Sequence, residues 1–194
     1  MSETRLGRQT PTVSVVLPYQ ESKGSEAVEI YNKSGRTAQP WQELMLEDIM
    51  AIDDNGQWVH MKFGWSIPRR NGKSEILIIC AIHALTHGKR VLYTAHRSST
   101  SHNAWEKICT RLSKAGYIEK EDYKTSKRYG METIIWLDGS GGEIHFRTRT
   151  NNGGLGEGFD LLIIDDDYVK AFPKKYFQIW TNAQILFFEF VHLC

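Results

Sequence analysis

Gly72-Lys73-Ser74 and the acidic run Asp165-Asp166-Asp167 are the residues of this chain best suited to chemistry on a phosphate anhydride. A glycine, a lysine and a hydroxyl residue in that order can cradle a phosphate chain. The glycine lets the backbone approach, the lysine ammonium reaches the β- and γ-phosphates, and the serine hydroxyl ligates Mg²⁺. The amides from Arg70 through Asn71 to Ser74 would donate to the phosphates, whereas Pro68 has no N–H to give. The usual loop has a first glycine five positions before Gly72. This chain has Ile67 there, so the tripeptide alone also fits a basic surface turn. Asp165, closing the apolar run Leu161-Leu-Ile-Ile, is placed to complete a magnesium site. Asp166 would orient or deprotonate the attacking water. The competing reading of these acids is a solvated strand end.

Such residues work only if particular elements carry them. The loop must follow a strand and open a helix, and the sequence supplies both: an apparent strand over Trp58–Trp65 and an apparent helix from Lys73 to about Thr86, stopped by His87-Gly88. Arg90–Ala95 reads as a short buried strand. Ser98–Ala115 reads as an amphipathic helix with Trp105, Ile108 and Leu112 on one side. Residues 42–52, QELMLEDIMAI, have helical spacing. Met131–Leu137 and Glu143–Arg149 flank a hairpin turn at Asp138–Gly142. The continuous apolar run Leu161–Asp165 reads as a central parallel strand. Strands alternating with helices predict an α/β phosphate-loop NTPase core, its largely parallel sheet flanked by helices. Residues 1–38 read as an extended arm, with a short helix near Ser25–Asn32, and residues 39–167 as the nucleotide domain.

Taken together these residues resemble the ATPase domain of the large terminase subunit of tailed bacteriophages. That family's loop often lacks the first glycine and carries an arginine four residues before the lysine, as Arg69 is placed here. The resemblance implies that Arg69 contacts the γ-phosphate as an arginine finger, with Arg70 as the alternative. The bland reading of Arg69 is a solvated surface arginine. Gln39-Pro40-Trp41-Gln42 is similar to the family's adenine motif, in which the Gln42 amide can accept from adenine N6 and donate to N7. Gln42 is equally readable as a polar residue at a helix start. Thr94-Ala95-His96-Arg97-Ser98-Ser99, Gly154–Gly158, Leu17-Pro18-Tyr19 and Ala27–Tyr31 are in the same style, so the likeness spans about residues 10–165. It implies ATP and Mg²⁺ as cofactors and double-stranded DNA as a partner, in the cytoplasm of a bacterial host. It also implies a small terminase subunit and a portal or procapsid as partners, and oligomerisation in the complete family member.

The chain departs from the family at Asp166, where glutamate is usual. The shorter side chain makes ATP binding a firmer expectation than hydrolysis. Residues 168–194 hold 8 of the chain's 22 aromatics and a single acid, Glu189. This composition break suggests a truncated or frameshifted tail, and a continuation in another reading frame downstream of codon 165 would show it. Asn182–Phe187 is a faint echo of the family's next strand, and there is no room for a nuclease domain. A non-catalytic nucleotide-binding remnant, a helicase-like ATPase and a small assembly protein docking through the aromatic tail are the alternatives.

A net charge of +1 argues against a bulk basic field, although Lys124, Lys127 and Arg128 form a small basic cluster. The N-terminus lacks the apolar core of a secretory signal, and no run of about 18 apolar residues predicts a membrane span. Cys80, Cys109 and Cys194 form no zinc-binding pair. His83, His87, His102 and His145 are expected on helix or strand surfaces without metal-ligand spacing.

Overall fold

Apolar residues on every side of the segment Lys73–Thr86 require that helix to be covered all round, and the rest of the chain covers it. The computed structural model describes residues 7–68, 71–148, 158–165 and 184–188. In chain order the elements are β1 (Glu21–Ser22), α1 (Gly24–Asn32), α2 (Pro40–Ile49), β2 (Ala51–Ile52), β3 (Lys62–Trp65), α3 (Lys73–Thr86), β4 (Arg90–Ala95) and α4 (Ser98–Lys114). They continue with β5 (Tyr123–Ser126), β6 (Thr133–Trp136), β7 (Glu143–Thr148), β8 (Leu161–Asp165) and β9 (Gln184–Phe188). Ile76, Leu77, Ile78, Ile79 and Leu85 of α3 are fully buried, together with Leu46 and Ile49 of α2, Tyr93 of β4, Ile108 and Leu112 of α4 and Phe146 of β7.

Seven strands form one sheet in the order β3-β9-β8-β4-β7-β6-β5. The pairings β3·β9, β9·β8, β8·β4 and β4·β7 are parallel, while β7·β6 and β6·β5 are antiparallel. The α/β class with a mostly parallel, helix-flanked sheet is therefore observed. All five residues of β8 are buried, as a strand covered on both faces requires.

Some local expectations need correction. Helix α2 starts at Pro40, which is pre-organised for a first helical position, and stops at Ile49. Ala51 and Ile52, assigned to the helix by their apolar spacing, form β2, paired with Ser22 and Glu21. The strand before the loop is shorter than Trp58–Trp65: Trp58 makes only an isolated bridge to Ile52, and the ladder begins at Lys62. Strand β5, YKTS, was not anticipated, because an edge strand with polar side chains lacks an apolar signature. The short helix expected near Ser25–Asn32 is α1, which buries Ala27 and Tyr31. Gly24 at its start lies so close to α2 that a Cβ would meet the Glu47 amide nitrogen at 2.6 Å. The segment ahead of α1 is tied down where the Leu17 N–H donates to His60 Nε2 (2.9 Å) and the Tyr19 hydroxyl to Asp48 (2.9 Å).

The aromatic-rich tail contributes β9, inserted between the loop strand β3 and the acidic strand β8. The echo noted at Asn182–Phe187 is thus a strand from Gln184 onward. Gln184 anchors it. Its buried side-chain amide donates to the carbonyls of Ile49 (2.8 Å) and His60 (3.1 Å), joining the strand to the end of α2 and the approach to β3. Gln184→Ala leaves both carbonyls without that donor. We expect a loss of about 3 kcal/mol in chemical denaturation, at the upper end for an unmet buried group. A change below about 0.5 kcal/mol would show that β9 does not depend on this anchor.

Candidate nucleotide site

The loop is set by a left-handed glycine. Gly72, with φ of +79°, is the N-cap of α3 and brings no side chain with which to cap that helix end. A residue with a Cβ is strained at such a φ. The first amides of α3 are therefore presented with the positive end of the helix dipole, which is the arrangement that holds anions. Lys73 and Ser74 are the first two helical residues; Lys73 is mostly buried and Ser74 half-buried. Asn71 folds its side chain back, donating to the Pro68 carbonyl at 3.1 Å, and so tightens the loop.

Gln42 meets the loop directly. Its Nε2 donates to the Gly72 carbonyl (3.0 Å), and its Oε1 accepts from the Gln39 N–H (2.8 Å). One amide thus closes the first turn of α2 and fastens it to the N-cap of α3. A primary amide has two N–H groups and two lone pairs, so these bonds use half its capacity. Gln42→Ala removes both. The expected result is about 1 kcal/mol of stability lost, as for a helix cap, and roughly tenfold weaker nucleotide binding as the loop loosens. Calorimetry on the folded variant reads both; unchanged affinity would leave Gln42 with a structural task alone.

Asp165 ends β8 and is buried. The Tyr93 hydroxyl donates to its Oδ2 at 2.5 Å. Burial, followed by the Asp165 charge, raises the Tyr93 pKa well above the ordinary phenol value, so the hydroxyl stays protonated and donating. The neighbouring Thr94 hydroxyl donates to the Ile163 carbonyl (3.1 Å), which locks β4 to β8 just below the carboxylate.

Register relates the two halves of the site. Trp65 pairs with Phe188, and Ile164 pairs with Phe187, so Asp165 lies level with the end of the loop strand two strands away. Two parallel spacings are about 9.6 Å. The loop and the carboxylate thus share the C-terminal edge of the sheet, where open α/β sheets bind ligands. Arg69, Arg70 and Asp166 lie outside the described residues, as does nearly all of Gly154–Gly158.

A brace behind the loop escaped the sequence reading. Glu75, in the first turn of α3, accepts from the Tyr31 hydroxyl of α1 (2.5 Å) and from Arg111 of α4 (3.3 Å). Burial and the bond to Glu75 push Tyr31 up to about 12, so it remains a donor. Three helices are thereby pinned at the start of α3. The signal available in the sequence was a Glu immediately after the Gly-Lys-Ser, but its partners lie 44 and 36 residues away. On the same strand-end side, Nδ1 of His102 lies 2.7 Å from Oε1 of the fully buried Glu132. His102 was expected on a surface, and it is half-buried instead.

The architecture is an α/β domain with a loop-bearing helix and a carboxylate-tipped strand at one sheet edge. No protein-family model matches the chain, and no curated protein matches it in sequence. Solved structures do match. The large terminase ATPase domain of Thermus phage P74-26 superposes with a TM-score of 0.57 at 12% identity, covering 83% of this chain and 68% of that one. An arginine-to-alanine mutant of the same domain gives 0.59 at the same identity and coverage. The HK97 bacteriophage large terminase gives 0.59 at 15% identity, covering 87% of this chain and 38% of that one. The fold is therefore that of a phage large terminase ATPase domain, and at these identities the likeness is one of fold.

Proposed function

We propose that the chain is an ATP-binding domain of the terminase type, whose family role is to power the packaging of double-stranded DNA into a procapsid. The observation carrying this reading is the shared sheet edge. Gly72-Lys73-Ser74 opens α3 there, and Asp165 closes β8 at the same level. The residues fit the groups the reading requires. The helix end with glycine as its N-cap suits a triphosphate, and a hydroxyl with a buried carboxylate suits Mg²⁺, which prefers oxygen ligands.

In this reading Lys73 neutralises the β- and γ-phosphates, and the amides of residues 70–74 orient them, with Asn71 holding the loop in shape. Ser74 and Asp165 hold Mg²⁺, which when bound supplies charge neutralisation at the transferred phosphoryl group. Tyr93 fixes the rotamer of Asp165. Asp166 positions the attacking water, Arg69 (or Arg70) spreads transition-state charge, and Gln42 reads adenine while tethering the loop. A small terminase subunit and a procapsid portal would be partners of the whole assembly. Asp166 in place of glutamate makes binding without efficient turnover the second reading. Among the described residues no helix is long and apolar enough to cross a membrane.

The test is equilibrium titration of the folded chain with a fluorescent ATP analogue, with and without Mg²⁺. Micromolar binding that strengthens with Mg²⁺ is expected. A folded chain that binds no nucleotide overturns the reading.

A further inference from the structure

His83 and His87 sit one turn apart near the end of α3, opposite Glu26 in the first turn of α1. The sequence reading placed both histidines on a surface without ligand spacing, yet the i, i+4 separation puts them on one helix face. The rings stack with centroids 4.0 Å apart. One ligand atom from each of Glu26, His83 and His87 lies within 4.8 Å of the others. We propose that these three residues form a binding site for a divalent transition-metal ion of the Zn²⁺ class, separate from the nucleotide site.

The hydrogen-bond arithmetic carries this. Nδ1 of His87 lies 2.7 Å from the His83 carbonyl, which can only accept, and 3.3 Å from the Thr86 hydroxyl, whose own proton goes to the Ile82 or His83 carbonyl (3.1 Å each), so Nδ1 holds a proton. Nε2 of the same ring lies 2.8 Å from Oε1 of Glu26, and a carboxylate also only accepts. A second cation, a proton or a metal, must lie between those two atoms. Backbone fixing of one imidazole nitrogen, with the other turned toward the site, is how metal-binding histidines are oriented. His83 is 5% exposed, and among the described residues its buried Nε2 has no hydrogen-bond partner. It lies 3.7 Å from Oε2 of Glu26. The pair of Glu26 oxygens thus faces one imidazole nitrogen that needs a cation and another that, among the described residues, makes no hydrogen bond.

The location favours a cation for a further reason. The last turn of a helix exposes carbonyls and the negative end of its dipole. Burial penalises a charge on His83, and the neutral ring is the form that ligates metal. Lys23 is the opposing charge nearby, and Glu26 offsets it. Two imidazoles and one carboxylate make three protein ligands, leaving a fourth tetrahedral position to water. Ligand atoms on tetrahedral zinc are about 3.4 Å apart. Closing from 4.8 Å requires His87 and Glu26 to rotate, and their side chains are 38% and 43% exposed. The site lies about 15 Å along α3 from Lys73, at 1.5 Å per residue. A bound ion would clamp α1 to the far end of the loop helix.

The experiment is calorimetric titration of the full chain with Zn²⁺ in millimolar Mg²⁺, in two buffers of different ionisation enthalpy, alongside the Co²⁺ absorption spectrum. Expected are one ion per chain, release of about one proton from the His87–Glu26 pair, and the ligand-field bands of low-coordinate Co²⁺. Glu26→Gln and His87→Ala, both at half-exposed positions, should each weaken binding at least tenfold, while His102→Asn leaves it unchanged. Equal affinity in Glu26→Gln and wild type overturns the proposal. So does an absence of stoichiometric binding, which would leave the cluster as a protonated ion pair.

Discussion

Lys73→Ala should weaken binding of Mg-ATP about 100-fold while the fold persists. A charge-assisted hydrogen bond to phosphate contributes about 1.5–3 kcal/mol, and each 1.4 kcal/mol is tenfold in affinity. Lys73 is mostly buried at the first position of α3, so its stem is held by packing and its ammonium loses little freedom on meeting phosphate. Thermal shift gives an independent reading. Ligand at 100 times Kd stabilises the folded state by about 2.7 kcal/mol, which for a chain of this size is about 5–10 °C. The wild type should show that shift, and the variant almost none. If the variant, folded by circular dichroism, binds as tightly as wild type, the Gly-Lys-Ser turn is not the phosphate site.

The second large effect is a gain. Asp166→Glu should raise the turnover of bound ATP by up to about 100-fold without changing nucleotide affinity. Asp165, held by the Tyr93 hydroxyl, ends the acidic strand, and residue 166 is next in the chain. Adding one methylene advances the carboxylate by over an ångström, and displacements of that order cost about 10²-fold in rate. Steady-state phosphate release reads kcat, and equilibrium binding reads affinity. A glutamate variant no faster than wild type, with Asp166→Ala equally unaffected, would remove residue 166 from the reaction. A wild type already turning over at the rate of its glutamate variant would dispose of the impaired-copy reading.

The elements with strong local signals were legible in advance. Helix α3 and strands β4 and β8 are long enough in apolar residues, and sharply enough bounded by His87-Gly88 and by acid, for pattern alone to delimit them. Helix α4 shows the amphipathic period directly. Less legible were places where the pattern is ambiguous. Met50, Ala51 and Ile52 continue the apolar spacing of α2, and only the pairing partner Glu21–Ser22 turns the last two into a strand. In the tail the aromatic residues obscure any period, so β9 was marked only by the resemblance of Asn182–Phe187 to the family's next strand. What makes it a strand is insertion between two others, with Gln184 satisfying carbonyls more than 120 residues distant in sequence.

The candidate site divides in the same way. Gly72, Lys73, Ser74 and Asp165 could be chosen from residue types and spacing, because a phosphate loop is local and its chemistry demands those side chains. Their working relation could not be so chosen. That the loop and the carboxylate meet at one edge depends on strand order. Strand order depends on which apolar faces bury one another across the chain. Gln42 against Gly72, Tyr93 against Asp165 and the Tyr31–Glu75–Arg111 brace are contacts between distant segments, and no spacing rule encodes them. The same holds for Glu26 with His83 and His87. The histidine spacing was present in the sequence, but the carboxylate comes from another helix, and the burial that leaves His83 Nε2 without a hydrogen bond among the described residues exists only once α1 packs on α3. Sequence alone determined the loop, the helix it opens and the acid-tipped strand, because these follow from local backbone preference and side-chain period. Tertiary structure decided the company those residues keep, because burial and long-range pairing, unlike periodicity, are properties of the whole chain.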